Sequence, residues 1–472
     1  MRSLLVILLG WWSATSAVAD DWPTFQHDNR RSGVTSERLA MPLKKAWHYE
    51  SAVPPQTAWT APAKWDAFSA NSGLQSMRNF DPAFYVTAAG DKVYFGSSVT
   101  NATHCLNAND GSEAWAFVTD SAVRLPPSLQ DGRAWFGSDD GYIYCVSADD
   151  GKLIWKHTPV VKKRLIPSNG KLISPWPVRT GVLLQGGVAY YGASLVPWDP
   201  SYLVAVDAAE GSPRFVQQQK GMTLQGSLLA SADHLYAPQG RSAPLQFAIA
   251  DGSMIGALGG SGGVYCILTE DDKFIAGPQS QKEATDSLKV SDTKGRQIIL
   301  SFSGGNRILV AGKWAYLHEG REIKALDRER HFQIQEDKNA LNGDLGRWGK
   351  QRGGIEKKLK GGATGAEAAE LKAELAALTD KLNDGKAKVA QFTAEQSDCY
   401  AWALSNQTIP FGFMLAGKTL FIGGDNRVTA CDATTGEKIW ETEVSGKAYG
   451  LAAANGRLFV STDRGFVYCF QG

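Results

Sequence analysis

Two stretches of this chain match expressions for reactive sites. Gly412-Phe413-Met414-Leu415-Ala416-Gly417-Lys418-Thr419 has the glycine and lysine spacing of a phosphate-cradling loop. That chemistry needs a strand before the loop and a helix after it, so that helix-terminal N–H groups meet the phosphate. Here Leu420-Phe421-Ile422 continues as a strand. Gly259-Gly260-Ser261-Gly262-Gly263 has the spacing of a nucleophilic serine elbow, which also requires a following helix, yet Val264-Tyr265-Cys266-Ile267-Leu268 reads as a strand. A glycine loop between strands accounts for it better. The 6 Cys include no C-x-x-C and no adjacent pair, and the 7 His show no zinc-ligand spacing. A third pattern is a set of cations in Pro- and Gly-punctuated connections: Arg78, Arg124, Lys162, Lys163, Arg164, Lys171, Arg179, Arg241 and Arg464. They would suit an anionic ligand; the competing reading is a solvated rim whose charges pair with Asp120, Asp139 and Asp140.

The elements that must position those connections repeat. A turn residue, three alternating or aromatic residues and a small residue recur eight times, ending at Gly96, Gly137, Gly192, Pro238, Gly277, Leu317, Gly423 and Ser461. The spacings are 41, 55, 46, 39, 40, 106 and 38, so a four-stranded unit of about 40 residues fits all but one interval. A second half follows each copy: a strand, an Asx or small-residue turn, Gly, and a strand closed by an aromatic. It reads Cys105 to Gly111 and Trp115, Cys145 to Gly151 and Trp155, Ala205 to Gly211 and Phe215, and Ala430 to Gly436 and Trp440. Asp and Asn close such a turn through their side chains, Gly takes the positive φ, and the aromatic packs between neighbouring sheets. The repeat also accounts for Cys105, Cys145 and Cys469, which stand where other copies have Ala, as small buried strand residues with free thiols.

The A-x-D-x-x-T-G-x-x-x-W pattern resembles the pyrroloquinoline-quinone (PQQ) repeat of eight-bladed β-propellers, a superfamily of quinoprotein dehydrogenases and the propeller lipoprotein of outer-membrane barrel assembly. Asp21-Trp22-Pro23-Thr24-Phe25 through Arg31-Ser32-Gly33-Val34 resembles the opening of secreted bacterial members. The resemblance implies an all-β fold of eight four-stranded antiparallel blades over 43–472, after an amino-terminal extension at 20–42. The last strand, Gly465 to Phe470, lacks a Gly-to-Trp successor, and Leu43 to Tyr49 is an orphan strand that would complete blade eight. A quinoprotein dehydrogenase would imply PQQ, calcium on carboxylate and amide oxygens, a catalytic Asp, a Trp floor and a vicinal Cys pair. The Cys pair is absent, as is a C-x-x-C-H haem motif. Trp176 or Trp198 could supply the floor and Asp199 the base. The candidates for a cofactor are Arg124, Arg164, Lys171, Trp176 and Arg179, all on the connections; no residue is assigned to catalysis or to a metal.

Between Leu326 and Tyr400 the composition turns to Ala, Lys and Glu. Leu371, Leu375, Leu378, Leu382, Val389 and Phe392 step by four and three with one gap at Gly385, and Leu341, Leu345, Trp348, Ile355 and Leu359 keep the same register. Lys360 to Gly365 reads as a reversal, so 330–396 is expected to be an antiparallel helical hairpin, a coiled coil inserted in blade six. Gly343, Gly346, Gly349, Gly353 and Gly354 argue against a continuous first arm, and the second would reach about 40 Å. Deleting 335–394 should leave a folded propeller.

The remaining numbers narrow the class. Over 472 residues, 43% hydrophobic and 10% aromatic content can bury a large core. Met1 and Arg2, an apolar run from Leu4 to Trp12 and Ala17-Val18-Ala19 read as a signal peptide over 1–19 cleaved before Asp20, with no Cys after it for lipid attachment. Removing it takes one Arg and no acid from 49 Lys+Arg and 48 Asp+Glu, leaving no net charge and no basis for nucleic-acid binding. The expectation is a periplasmic or secreted monomer without a membrane span. Its leading role is a non-catalytic envelope scaffold that meets protein partners through the upper loops and the hairpin. The alternatives are a PQQ-dependent oxidoreductase with calcium, or a degenerate one that still binds PQQ, and polysaccharide recognition by Trp59, Trp65 and Trp198.

Overall fold

The computed structural model describes residues 20–59, 65–66, 71–72, 80–240, 242–259, 263, 265–277 and 287–472, with the backbone alone at 65–66 and 71–72. The proposed leader, the serine-elbow residues Gly260, Ser261 and Gly262, the side chain of Trp65, and Arg78 and Arg241 lie outside the described residues.

Eight four-stranded antiparallel sheets follow one another along the chain. Blades one to five occupy 86–118, 128–157, 183–219, 229–257 and 265–303, and blade six occupies 305–327 with 400–404. One 17-residue strand, Lys438–Ala454, is the outermost strand of blade seven in its first half and the innermost of blade eight in its second. Blade eight closes on the amino-terminal strand Lys44–Glu50, which pairs with Phe466–Gln471 through Trp47 opposite Cys469. The Gly412–Thr419 stretch is a pair of strands and their turn, so no helix terminus is there to meet a phosphate.

Burial follows position within a blade. Val188–Ala193, a second strand covered on both faces by neighbouring sheets, is buried throughout, whereas the outermost Pro213–Gln219 alternates between exposed and half-buried residues. The closing aromatics join blade to blade. The Trp47 indole N–H donates to Ala108 O at 2.9 Å, Trp115 to Ala148 O at 3.0 Å, Trp155 to Ala208 O at 3.3 Å, and Trp402 to Ala433 O at 3.0 Å. In each case the ring lies over the turn glycine of the next blade. At Gly111, with φ of +75°, a Cβ would stand 2.6 Å from the Trp47 ring. This glycine is therefore required twice, by its left-handed backbone and by the indole against it. Trp440 closes the circle by donating to Leu43 O at 2.9 Å.

The extension at 20–42 has a role its sequence did not show. It crosses the lower mouth of the axial channel, where the first and second strands of each blade turn, and bonds to the innermost strands around the ring. Trp22 and Ala88 exchange both backbone hydrogen bonds, Pro23 O accepts from Leu129, Asn29 O from Ala230, and Arg30 O from Leu268. Gly33 O accepts from Leu415, where Val34–Thr35 pairs in parallel with blade seven. The segment plugs the channel with backbone groups that satisfy strand ends.

The insertion is a helical hairpin of two unbroken helices, α1 (Arg328–Lys360) and α2 (Gly365–Ser397), each 33 residues and so about 50 Å long. Both exceed the expected bounds, and the first arm is continuous through its glycines. Gly343, Gly346, Gly349, Gly353 and Gly354 meet nothing within 4 Å, so they weaken α1 without breaking it. The heptad gap at Gly385 is a fit. Gly385 is buried, and a Cβ there would stand 2.7 Å from Leu345 Cδ2 and 3.3 Å from the Trp348 ring. Asp327 caps α1 by accepting from the Arg330 amide. The hairpin replaces the lower turn of blade six, and its base docks on blade five, where His331 stacks on Phe302 at 5.9 Å and Arg328 pairs with Asp271 at 2.5 Å.

Candidate functional site

The upper face carries the blade-to-blade connections and the hairpins between second and third strands. Over blades one to three these connections are long. Residues 51–85 lead from blade eight to blade one, 119–127 from one to two, and 158–182 from two to three, the last holding its own small hairpin, Ile166–Ser168 with Lys171–Ile173. Pro and Gly interrupt them and leave few apolar residues to bury, so something other than a core must hold them.

Four buried charges do this. Asp139, on the middle hairpin of blade two, is fully buried. Its carboxylate accepts from Arg124 Nε at 2.6 Å and from Arg179 Nε and Nη2 at 2.8 and 2.9 Å. Arg124 Nη1 reaches Asp81 at 2.5 Å and Gln56 O at 2.9 Å, and Asp81 accepts the Ala58 amide at 3.0 Å. Two arginines and two aspartates thus tie all three connections to blade two with no net charge. Burial would raise the Asp139 carboxyl, but Arg124 and Arg179 together hold it below the usual carboxylate range. Burial dominates at Asp81, which stays raised despite Arg124 and the Ala58 amide. Arg124 ends above its ordinary value because the two carboxylates outweigh its burial. Breaking such a set is costly because it strands a charge in a low dielectric.

The expectation that Arg124 and Arg179 face an open funnel is therefore corrected: both guanidiniums end on carboxylates beneath the loops. The competing reading is right that these cations pair with Asp139 and Asp120, and is corrected only in that the Asp139 pairs are buried and not on a solvated rim. Among the described residues only Lys163 with Asp120, at 2.7 Å, is an exposed pair of that kind. Lys171 is spent on blade one, donating to Ser98 O and to Asn101 Oδ1 at 2.6 Å. Trp176 lies edge-on to Tyr202 at 6.1 Å. Arg164 is exposed and in no ion pair among the described residues. Trp59 lies under the Arg179 guanidinium at 5.6 Å and donates to Gln225 at 3.0 Å, while Trp198 is 63% exposed.

The loops so fixed present apolar side chains to water. Val161, Leu165 and Leu172 of the 158–182 connection are exposed together with Trp198 of the blade-three hairpin. The sequence pointed to Trp198 but, among the loop residues, to the cations and not to Val161, Leu165 and Leu172. Their signal was an apolar side chain at each of several positions inside polar, turn-rich connections.

A cavity of about 90 Å³ lies on the axis above the plug. Phe25, Gln26 and Arg31 form its floor, and Tyr85, Tyr265, Arg307 and Tyr449 stand at the heads of innermost strands around it. Burial pushes the Tyr265 and Tyr449 hydroxyls up to about 12 and pulls Arg31 down to about 10. The phenols therefore stay protonated donors and Arg31 stays charged at neutral pH. None of the five cofactor candidates lines this cavity. Among the described residues no three His, Cys, Asp or Glu side chains converge as metal ligands. All six cysteines are buried and free.

A family profile described as outer membrane protein assembly factor BamB matches residues 56–329 and 386–471. No curated protein matches the chain. Among solved structures, quinohemoprotein alcohol dehydrogenase from Comamonas testosteroni superposes with a TM-score of 0.59 at 12% identity, over 97% of this chain and 81% of its own. Quinohemoprotein alcohol dehydrogenase ADHIIG from Pseudomonas putida HK5 gives 0.57 at 12% identity, over 96% and 80%. The computationally designed Ika8 protein gives 0.54 at 9% identity, over 83% and 96%. At these identities the likeness is one of fold.

Proposed function

The chain belongs to the family described as outer membrane protein assembly factor BamB, and from that premise we propose that it is a non-catalytic scaffold of the cell envelope whose upper face over blades one to three docks a protein partner. The observation that carries this reading is the pairing of a rigid base with an apolar surface. Arg124, Asp139, Arg179 and Asp81 fix the connections from below, and Val161, Leu165, Leu172 and Trp198 stand exposed above them. Preordered loops bind with less loss of conformational freedom, and exposed apolar groups on them are what a protein partner would cover. The helical hairpin offers a second surface. It is rooted at the lower end of blade six, so it serves a different contact from the upper loops. No described helix is long and apolar enough to cross a membrane. A periplasmic or secreted monomer, released by leader cleavage, completes the proposal.

The rival is a PQQ-dependent oxidoreductase using calcium, favoured by the fold it shares with quinohemoprotein dehydrogenases. The placement of the candidate residues weighs against it, because three of the four cations that would meet the quinone carboxylates, Arg124, Arg179 and Lys171, already meet Asp81, Asp139, the Asn101 side chain and backbone carbonyls, which leaves Arg164. Calorimetric titration with PQQ, with and without calcium, separates the two. The scaffold reading expects no saturable heat; calcium-dependent saturation would replace it with the rival.

A further inference from the structure

Glu37 is a buried acid that the side chains leave without a cation. It is 3% exposed. One carboxylate oxygen accepts the Gly456 amide at 2.8 Å, and the other accepts the backbone nitrogen of Asp20, also at 2.8 Å. Among the described residues no Lys, Arg or His pairs with it. A carboxylate buried on two neutral donors is poorly compensated. The Asp20 nitrogen is held in place from several sides. Asp20 O accepts from the Asn455 amide at 3.3 Å, and Asp20 Oδ2 accepts from Thr35 Oγ1 at 2.6 Å and lies 3.3 Å from His27 Nε2.

The sequence supplies an independent reason to look at this atom. Asp20 directly follows Ala17-Val18-Ala19, the small-residue spacing at which a leader peptidase cuts. We propose that the Ala19–Asp20 bond is a processing site and that the α-ammonium created there is a structural cation, paired with buried Glu37 to lock the plug into the lower mouth of the propeller. Hydrolysis consumes one water, leaves a carboxylate on Ala19 and turns the Asp20 amide nitrogen into an amine. With an ordinary pKa of about 8, that amine takes a proton at neutral pH. One neutral N–H facing Glu37 thereby becomes a charged group with three donors. The uncut chain seats the same plug through a neutral N–H on Glu37, and removal of the leader adds the positive charge to that contact.

Two measurements test this. Intact mass and amino-terminal sequencing of the exported protein should find Asp20 first; a start at any other residue overturns the proposal. The second compares the chain beginning at Asp20 with one carrying a single added glycine before it, each with Glu37 and with Glu37→Gln, by hydrogen–deuterium exchange of residues 20–38. With Glu37 present, the added glycine should speed exchange at least about tenfold, since it moves the ammonium off a buried carboxylate. With Glu37→Gln the same extension should change exchange less than about twofold. Equal acceleration in both backgrounds would mean that the added residue acts by bulk alone, and would overturn the ion pair.

Discussion

Asp139→Asn keeps the shape of the side chain and removes its charge. Two guanidiniums, Arg124 at 7% and Arg179 at 1% exposure, would then share the single carboxylate of Asp81, and three charge-assisted hydrogen bonds would become neutral or be lost. Breaking a buried pair by neutralising one partner costs about 3–5 kcal/mol. The amide still accepts one hydrogen bond, so about 3 kcal/mol is the expected loss. The unfolding entropy of roughly 450 residues is about 1 kcal/mol per kelvin, which converts the loss to a Tm lower by about 3 °C in scanning calorimetry. Adding Arg179→Met to Asp139→Asn removes the stranded charge, and the double variant should lie closer to wild type than the sum of the two single variants. A single variant within 1 °C of wild type, or strict additivity in the double, would refute the claim that these four charges hold the upper loops.

Other outcomes follow from the same geometry. Alanine at Gly111 must adopt φ of +75° and displace the Trp47 ring, whereas alanine at Gly132, with φ of +70° and nothing within 4 Å, meets backbone strain alone; denaturant melts should give about 3 kcal/mol for the first and about 1 for the second. Alanine at Gly343, Gly346 or Gly349 should stabilise α1 by about 0.5–1 kcal/mol each, read from the hairpin's helical circular dichroism on heating. Burial, with Lys338 adding to it, pulls His331 down to about 4 from an ordinary 6.5. The unfolded chain therefore takes up a proton that the folded one refuses, so stability should fall by about 3 kcal/mol as pH drops from 6.5 to 4. His331→Leu should flatten that part of the profile in pH-dependent melts; an unchanged slope would place the titration elsewhere.

The parts of the fold written as local, repeated chemistry were legible in the sequence. A turn Gly four residues before an aromatic states both the turn and the ring that will cover the turn Gly of the next blade, and the orphan strand at Leu43 stated the closure. The hairpin was legible from its leucines, but α1 is longer and more continuous than its glycines suggested, because Leu345 and Trp348 pack against Gly385 of α2 and this contact outweighs local propensity. The plug was not legible: 20–42 has no period, and it binds the ring through backbone groups and single side chains such as Asn29, Arg30, Arg31 and Glu37 that form no pattern. The site was half legible. The cations on the connections were visible, but charge in a sequence carries no partner, and the pairing of Arg124 and Arg179 with Asp139 exists only once blade two and two connections meet. The apolar residues above them were visible as apolar positions inside polar connections, but the sequence does not state that they stay exposed.

The most direct test of a protein-docking upper face is site-specific photo-crosslinking in cells, with a photoreactive residue at Leu172 or Trp198 and, as controls, at Lys152 or Lys294 on lower turns. The account predicts one discrete protein adduct from both upper positions and none from the lower pair. No adduct at 172 and 198, or the same adducts at all four, would contradict it.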